Sequence, residues 1–352
     1  MRRGRSGLLA PLVAAGLFVG LTAGCGSDGG GGSSETSAGT ATTTTPVDAT
    51  TSSTAPGALA GSIYEAACNG ELESPDTVRL RVGPLVEASG LAVSRTQPGV
   101  LWAHNDSGDT ARVFAFGENG RKLGIFTLAG AEAVDWEDMA LGPDVDDSGE
   151  PVADTDALYL ADIGDNDAVR SSVTIYRVPE PEVTAGQEPV TATVDGVDRF
   201  TFTYPDGPRD AEALFVDRTD GTFYVIEKRL AGGPVGIYRG SLSGWDADAA
   251  ALPALERVGT FRPGPSTFAS VTGADLSPDG SVLAVRTYGS VRLFQRGDGA
   301  DLADVLAGEP CTGPVPVEVQ GEAVALTPDA DAYYTLPEGA RPVLSRWVPA
   351  TP

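Results

Sequence analysis

Three glutamates, Glu137, Glu212 and Glu322, open copies of one short phrase in this chain. The copies read Glu137-Asp138-Met139-Ala140-Leu141, Glu212-Ala213-Leu214-Phe215-Val216 and Glu322-Ala323-Val324-Ala325-Leu326. Two variants, Ser89-Gly90-Leu91-Ala92-Val93 and Thr272-Gly273-Ala274-Asp275-Leu276, complete a set of five. Carboxylates that recur at one structural position can work as a pair, one as general acid and one as general base. Glu137 and Glu212 are the candidate catalytic pair. Several acids converging on one place also repel one another, so they need a cation, a basic partner or raised pKa values.

A second acidic motif has metal-ligand spacing. Asp144-Val145-Asp146-Asp147-Ser148-Gly149 follows the Asp-x-Asp-x-Ser-Gly pattern of oxygen-ligand calcium loops, with Asp144, Asp146 and Ser148 as ligands. Thr155 stands where an EF-hand carries its bidentate glutamate, and an ordinary acidic hairpin turn is the other reading. Asp135-Trp136-Glu137-Asp138 packs three acids around one tryptophan, which is either a core residue or a stacking platform. His104, the single histidine, lies in a strand-like run, which argues against a Ser-His-Asp hydrolase. No Cys/His cluster and no glycine-rich phosphate loop before a helix are present, which argues against zinc and nucleotide binding.

The elements that must position these residues follow from the repeat. Each phrase reads as a buried strand A, then a turn such as Gln97-Pro98-Gly99, Thr219-Asp220-Gly221 or Pro278-Asp279-Gly280, then a second apolar strand B. The B strands are Leu101-Trp102-Ala103-His104, Leu158-Tyr159-Leu160-Ala161, Phe223-Tyr224-Val225-Ile226, Val282-Leu283-Ala284-Val285 and Tyr333-Tyr334-Thr335-Leu336. Strand C is expected at 112–116, 173–178, 235–239, 290–295 and 342–348, and strand D at 122–128, 199–204, 257–261 and 315–319. The fifth D strand is missing from that series. Residues 77–82, near the start of the domain, would supply it and close the ring, removing an open sheet edge. The pattern predicts an all-β propeller of five blades of four antiparallel strands, with six blades as the alternative. A sandwich or jelly roll has no repeated four-strand order.

An A–B hairpin brings the start of A and the end of B to one rim. Aligning the B strands on Trp102, Tyr159, Tyr224 and Leu283 puts Asn105, Asp162, Glu227 and Arg286 three residues on. The loops beyond B are polar and held by a rigid scaffold, a common place for function. The candidate ligand-binding set is Asn105, Asp106, Asp135, Asp162, Asp165, Asn166, Glu227, Lys228, Arg286 and Glu322. Solvation of a water-filled tunnel is the plain alternative.

Residues 1–24 read as a lipoprotein signal peptide. Arg2, Arg3 and Arg5 precede the uncharged apolar stretch 7–21. The stretch ends in Leu21-Thr22-Ala23-Gly24-Cys25, a lipobox with Thr22 where leucine is preferred, so Cys25 is the expected lipidation site. Residues 25–57 are dominated by Gly, Ser, Thr, Ala and Pro and read as a flexible tether, leaving 58–352 for the propeller. With Cys25 lipidated, Cys68 and Cys311 form an even pair and are expected to be bonded in an oxidising compartment. The formal net charge of −25 argues against nucleic acid and a polybasic membrane patch, and is compatible with cation binding.

The blocks 89–109, 135–140, 158–181 and 210–229 together resemble secreted bacterial β-propeller lipoproteins of the phytase-like and NHL-like sort. The resemblance implies a propeller at the outer face of the cell membrane. In the phytase-like case it also implies calcium-held phosphate, with Lys228, Arg229, Arg209 and Arg286 supplying the basic part. Two functions follow as expectations. One is a monomeric binding propeller for a small ligand or an extracellular protein, stabilised by calcium and touching the membrane through its lipid alone. The other is a calcium-assisted phosphoesterase or glycoside hydrolase using the channel-mouth carboxylates.

Overall fold

Each copy of the repeated phrase forms the innermost strand of its own antiparallel sheet, and the five sheets are the blades of a β-propeller. This computed structural model describes residues 62–146, 151–242 and 251–351. The signal 1–24, Cys25, the tether 25–57 and Ser148 lie outside the described residues.

Blade one comprises Ala88–Val93, Val100–Asn105, Arg112–Gly117 and Lys122–Leu128. Blade two comprises Trp136–Val145, Pro151–Asp162, Val173–Pro179 and Asp198–Phe202. Blade three is Ala211–Val216, Thr222–Glu227, Val235–Ser241 and Glu256–Phe261, and blade four is Val271–Leu276, Val282–Thr287, Ser290–Gln295 and Cys311–Gly313. Blade five takes Gly321–Leu326, Tyr333–Pro337 and Val343–Pro349 from the end of the chain and Leu72–Arg79 from its start, so the ring closes as expected. The five-bladed reading holds over the six-bladed one.

The details differ in three places. The closing strand ends at Arg79 rather than residue 82, because Leu80 N–H turns to Pro342 O while Leu80, Val82 and Leu85 enter the core. Strand D of blade four is Cys311–Gly313, not 315–319. Pro314 and Pro316 cannot donate to a ladder, and Val317 and Val319 stand in solvent. Between strands C and D of blade two, Val190–Val194 pairs in parallel with Lys122–Leu128 and covers the outer edge of blade one.

The core divides by blade interface. Five apolar clusters each join two neighbouring blades, as where Tyr159 and Val173 of blade two pack with Leu214 and Phe223 of blade three. A short helix, α1 (Ile63–Asn69), packs on the interface of blades four and five, with Ser62 accepting from Glu65 N–H and Gly70 in the left-handed region at its end. Cys68 on this helix is bonded to Cys311 of blade four, 243 residues away.

Candidate functional site: the acidic mouth of the channel

In all five blades the A–B register shifts near the start of A, over two residues between Ala88 and Leu91 and over one between Trp136 and Asp138, Ala211 and Ala213, Val271 and Gly273, and Gly321 and Ala323. A bulge leaves one residue unpaired and re-aims its side chain. The skipped residues include the phrase-opening ones: Ser89, Glu137, Glu212, Thr272 and Glu322. Ser89 Oγ donates to Glu137 O, and Thr272 Oγ1 donates to Gly321 O and Glu322 O, so these hydroxyls tie blade one to two and four to five. The three glutamates turn their carboxylates to the mouth and are 2–3% exposed.

Below them the channel has a floor. Asp138 is fully buried, and its Oδ2 accepts from Leu214 N–H of blade three and Ala274 N–H of blade four, both at 2.9 Å. Its Oδ1 accepts from Met139 N–H at 2.8 Å. Burial pushes the pKa of Asp138 up, against the pull of the three N–H donors. One carboxylate therefore joins the inner strands of three blades. On the far side, Asp275 accepts from Leu326 N–H of blade five, and Arg95 donates to Leu141 O of blade two.

The B ends stand where the sequence put them in blades one, two and three, and one residue further on in blade four. Asn105, Asp162, Glu227, Thr287 and Pro337 are the register-equivalent B ends, each paired to the start of A. Of the residues that follow them, Asp106, Lys228, Tyr288 and Glu338 form the set facing the mouth, while Ile163 is fully buried in the core between blades two and three. Lys228 pairs with Glu212, the two side chains being 8% and 3% exposed, and its Nζ lies 5.5 Å from the centre of the Tyr288 ring.

The electrostatics are those of crowded, buried acids. Burial raises Glu137 well above the usual carboxylate range, and the charges of Glu212, Asp106 and Asp135 raise it further. Burial, then the charge of Asp106, lifts Asp135 to about 6. Burial likewise lifts Glu322 and Glu338 to about 7, with Asp106 adding to the Glu338 shift. Asp106 and Asp210 are also raised, chiefly by burial. Burial raises Glu212 although Lys228 opposes the shift. Burial alone would lower Lys228, but Glu212, Tyr288 and Glu322 outweigh it and keep the ammonium charged.

Protein-family models and curated protein sequences give no match to this chain. The site therefore stands on its own geometry.

Of the sequence-selected residues, the mouth brings together Asp106, Asp135, Glu137, Glu212, Lys228 and Glu322. Others are engaged in local braces. Asn105 accepts from Val86 and Glu87 N–H and donates to Pro84 O and Asp109. Asp162 pairs with Arg170 at 2.7 Å, Asp165 accepts from Val169 and Arg170 N–H, and Glu227 holds Arg229 and Gly236 N–H. Asn166 is exposed. Arg286 sits one place before the register-equivalent Thr287, is fully buried, and reaches Glu318 and Ala323 O in blade five. Trp136 is core, edge-on to His104 at 5.4 Å and 1% exposed. Asp144 lies on the opposite rim, accepts from Val145 N–H and stands 3.8 Å from Arg177.

Asp210, Tyr288 and Glu338 belong to the mouth but not to the sequence-selected set. Asp210 was legible, since Asp210-Ala211-Glu212 repeats the spacing of Asp135-Trp136-Glu137. Tyr288 and Glu338 required the true register of strand B.

Proposed function

We propose that this chain is an exported, lipid-anchored binding propeller that docks an extracellular protein partner on its mouth rim. The partner presents apolar contacts and a basic side chain. One observation carries this reading. Among the described residues, every large apolar side chain more than half exposed stands on a loop of this rim: Val134, Val169, Leu230, Phe268, Val317 and Val319. An apolar collar around an acidic, floored recess has the make-up of a docking surface with a charged centre. A small cationic ligand in the recess is the alternative occupant, and calcium enters as a stabiliser of the folded domain. The lipobox at Cys25, the low-complexity tether and the bonded Cys68–Cys311 pair support location at the outer face of the membrane.

Two measurements test this. Photo-crosslinking residues placed at Phe268 or Val317 in producing cells should give a discrete adduct that the same probe at Leu252 does not. Adducts at Leu252 alone, or at no position, overturn the docking reading. Cys25→Ser should release the protein from the membrane fraction, and unchanged membrane association overturns the anchor.

A hydrolase remains the second reading, because Glu137 and Glu212 are buried and electrostatically linked, and a carboxyl raised by burial suits the general acid of such a pair. It requires turnover of phosphate esters or glycosides, with or without calcium, that Glu137→Gln abolishes.

A further inference from the structure

Of the acids at this rim, Glu212 has Lys228, Asp162 has Arg170 and Glu227 has Arg229. Asp106, Asp135 and Glu137, like Asp210, Glu322 and Glu338, have no lysine or arginine at ion-pair distance among the described residues, and of these acids Asp106, Asp135 and Glu137 are the three whose oxygens cluster. One oxygen from each of these three lies within 4.8 Å of the other two. Glu137 is 2% exposed, yet neither of its carboxylate oxygens accepts a hydrogen bond from any described residue. An ionised carboxylate buried without a donor is costly, and it is retained where something else supplies the positive charge. Opposite it the backbone makes room. Gly164 packs so closely that a methyl group there would overlap Glu137 Oε1 and lie 2.6 Å from Asp135 Oδ2.

From this geometry we infer that Asp106, Asp135 and Glu137 form a calcium site between blades one and two, on the floored side of the mouth. This deepens the calcium part of the preceding reading by giving the ion a place, and it is independent of whether a partner docks on the collar. The donor set is all carboxylate oxygen, which suits a hard cation and not zinc, whose protein sites favour nitrogen and sulfur. Three oxygens all within 4.8 Å of one another can reach a single calcium ion with bonds of about 2.3–2.6 Å, and calcium takes such flexible, partly hydrated carboxylate sets more readily than magnesium, which demands near-ideal octahedral geometry. Three carboxylates against a double charge leave the remaining coordination positions to water or to an oxygen brought by a ligand. Asp144 and Asp146, on the opposite rim, take no part.

Trp136, between two of the ligands in the chain, makes the test direct. Terbium added to the EDTA-stripped full chain in detergent should give tryptophan-sensitised luminescence that calcium quenches by displacement, with magnesium at the same concentration failing to do so. Asp106→Asn and Asp135→Asn should each weaken terbium and calcium binding at least about 10-fold. Gly164→Ala should do the same through its methyl group, and Asp144→Asn should leave binding unchanged. Since Asp106 and Asp135 have no basic partner, their asparagine variants should fold with an ion-free melting temperature no lower than that of the parent. Calcium binding that survives both asparagine variants, or that disappears with Asp144→Asn, overturns the site. So does the absence of any calcium-dependent luminescence or melting shift. Crosslinking at the collar reads the docking surface without reference to the ion, so either proposal can fail alone.

Discussion

Asp138→Ala should loosen three blades at once. The side chain is fully buried and is the shared acceptor for Leu214 and Ala274 N–H, on the inner strands of blades three and four. Those strands form the edges of their sheets toward the axis, so no neighbouring strand takes over. Each buried donor left unpaired costs about 1–3 kcal/mol, so the two inter-blade donors together lose about 2–6 kcal/mol. Met139 N–H, in the same strand, loses an acceptor next to its own chain and adds less. Against this stands the relief of no longer burying a carboxylate, worth a few kcal/mol. The net expectation is a destabilisation of about 1–3 kcal/mol, a substantial share of the 5–15 kcal/mol that typically separates native from unfolded states. Asp138→Asn retains one acceptor oxygen but turns an amide N–H₂ toward a donor, so it should fall between alanine and the parent.

Denaturant unfolding of the full chain, followed by tryptophan fluorescence, reads this as a lower midpoint at unchanged slope. Amide exchange reads it locally: Leu214 and Ala274 N–H, protected in the parent, should exchange much faster in the alanine variant. A midpoint change equivalent to less than about 0.5 kcal/mol, together with retained protection at both amides, would refute the idea that one carboxylate seals the channel.

Two further outcomes follow from the same structure. Cys68 and Cys311 close a loop of 243 residues, and replacing both by alanine should cost about 5 kcal/mol in the chain-entropy description; thiol labelling of the native protein should find neither residue, and labelling of both would remove the bridge. The pH dependence has a definite sign. Glu322 and Glu338 are held at about 7 and Asp275 at about 6, mainly by burial, so the native state binds more protons than the unfolded chain between about pH 4.3 and 7. The stability these groups contribute in EDTA is therefore full below about pH 4 and is lost as pH rises through about 7, so the protein should melt higher at pH 5 than at pH 8. A melting temperature higher at pH 8 than at pH 5 would contradict those shifts.

Much of the architecture was legible in the sequence because the repeat is carried by apolar strands whose pattern states burial directly. The five A–B hairpins, the closing N-terminal strand and the Cys68–Cys311 bond all stand where the sequence placed them. Residues 315–319 misled, because alternating valines imitate a strand while Pro314 and Pro316 deny it a ladder. Val190–Val194 was hidden for the opposite reason, since it lies inside a blade-two connection yet completes the sheet of blade one. The site was half legible. Glu137, Glu212 and Glu322 share a phrase, but the B ends were aligned on side-chain size. In blade four that put Arg286 in place of Thr287, two residues before Tyr288, while in blades one and three the residue after the aligned one, Asp106 or Lys228, reaches the mouth. In a strand, a shift of one residue changes the face to which a side chain points.

The bulge at the start of each A strand separates what the fold needs from what it carries in addition. In blades one and four the re-aimed residues include Ser89 and Thr272, short hydroxyls that donate to a carbonyl of the next blade and fasten the ring. That is a sufficient structural solution at this position, and it introduces no charge. Blades two, three and five have glutamate there instead. The chain then accommodates the consequence: Glu212 requires Lys228, Glu322 is held near 7, and Glu137 is left without a hydrogen-bond donor. Like charges buried together oppose folding, and a propeller selected for stability alone would lose by keeping them. Their cost is met elsewhere in the same ring, by the Asp138 floor, the Asp275 link and the disulfide. Local electrostatic strain at one rim of a scaffold that is otherwise consistent from strand to strand is the physical argument for the working face proposed at that rim.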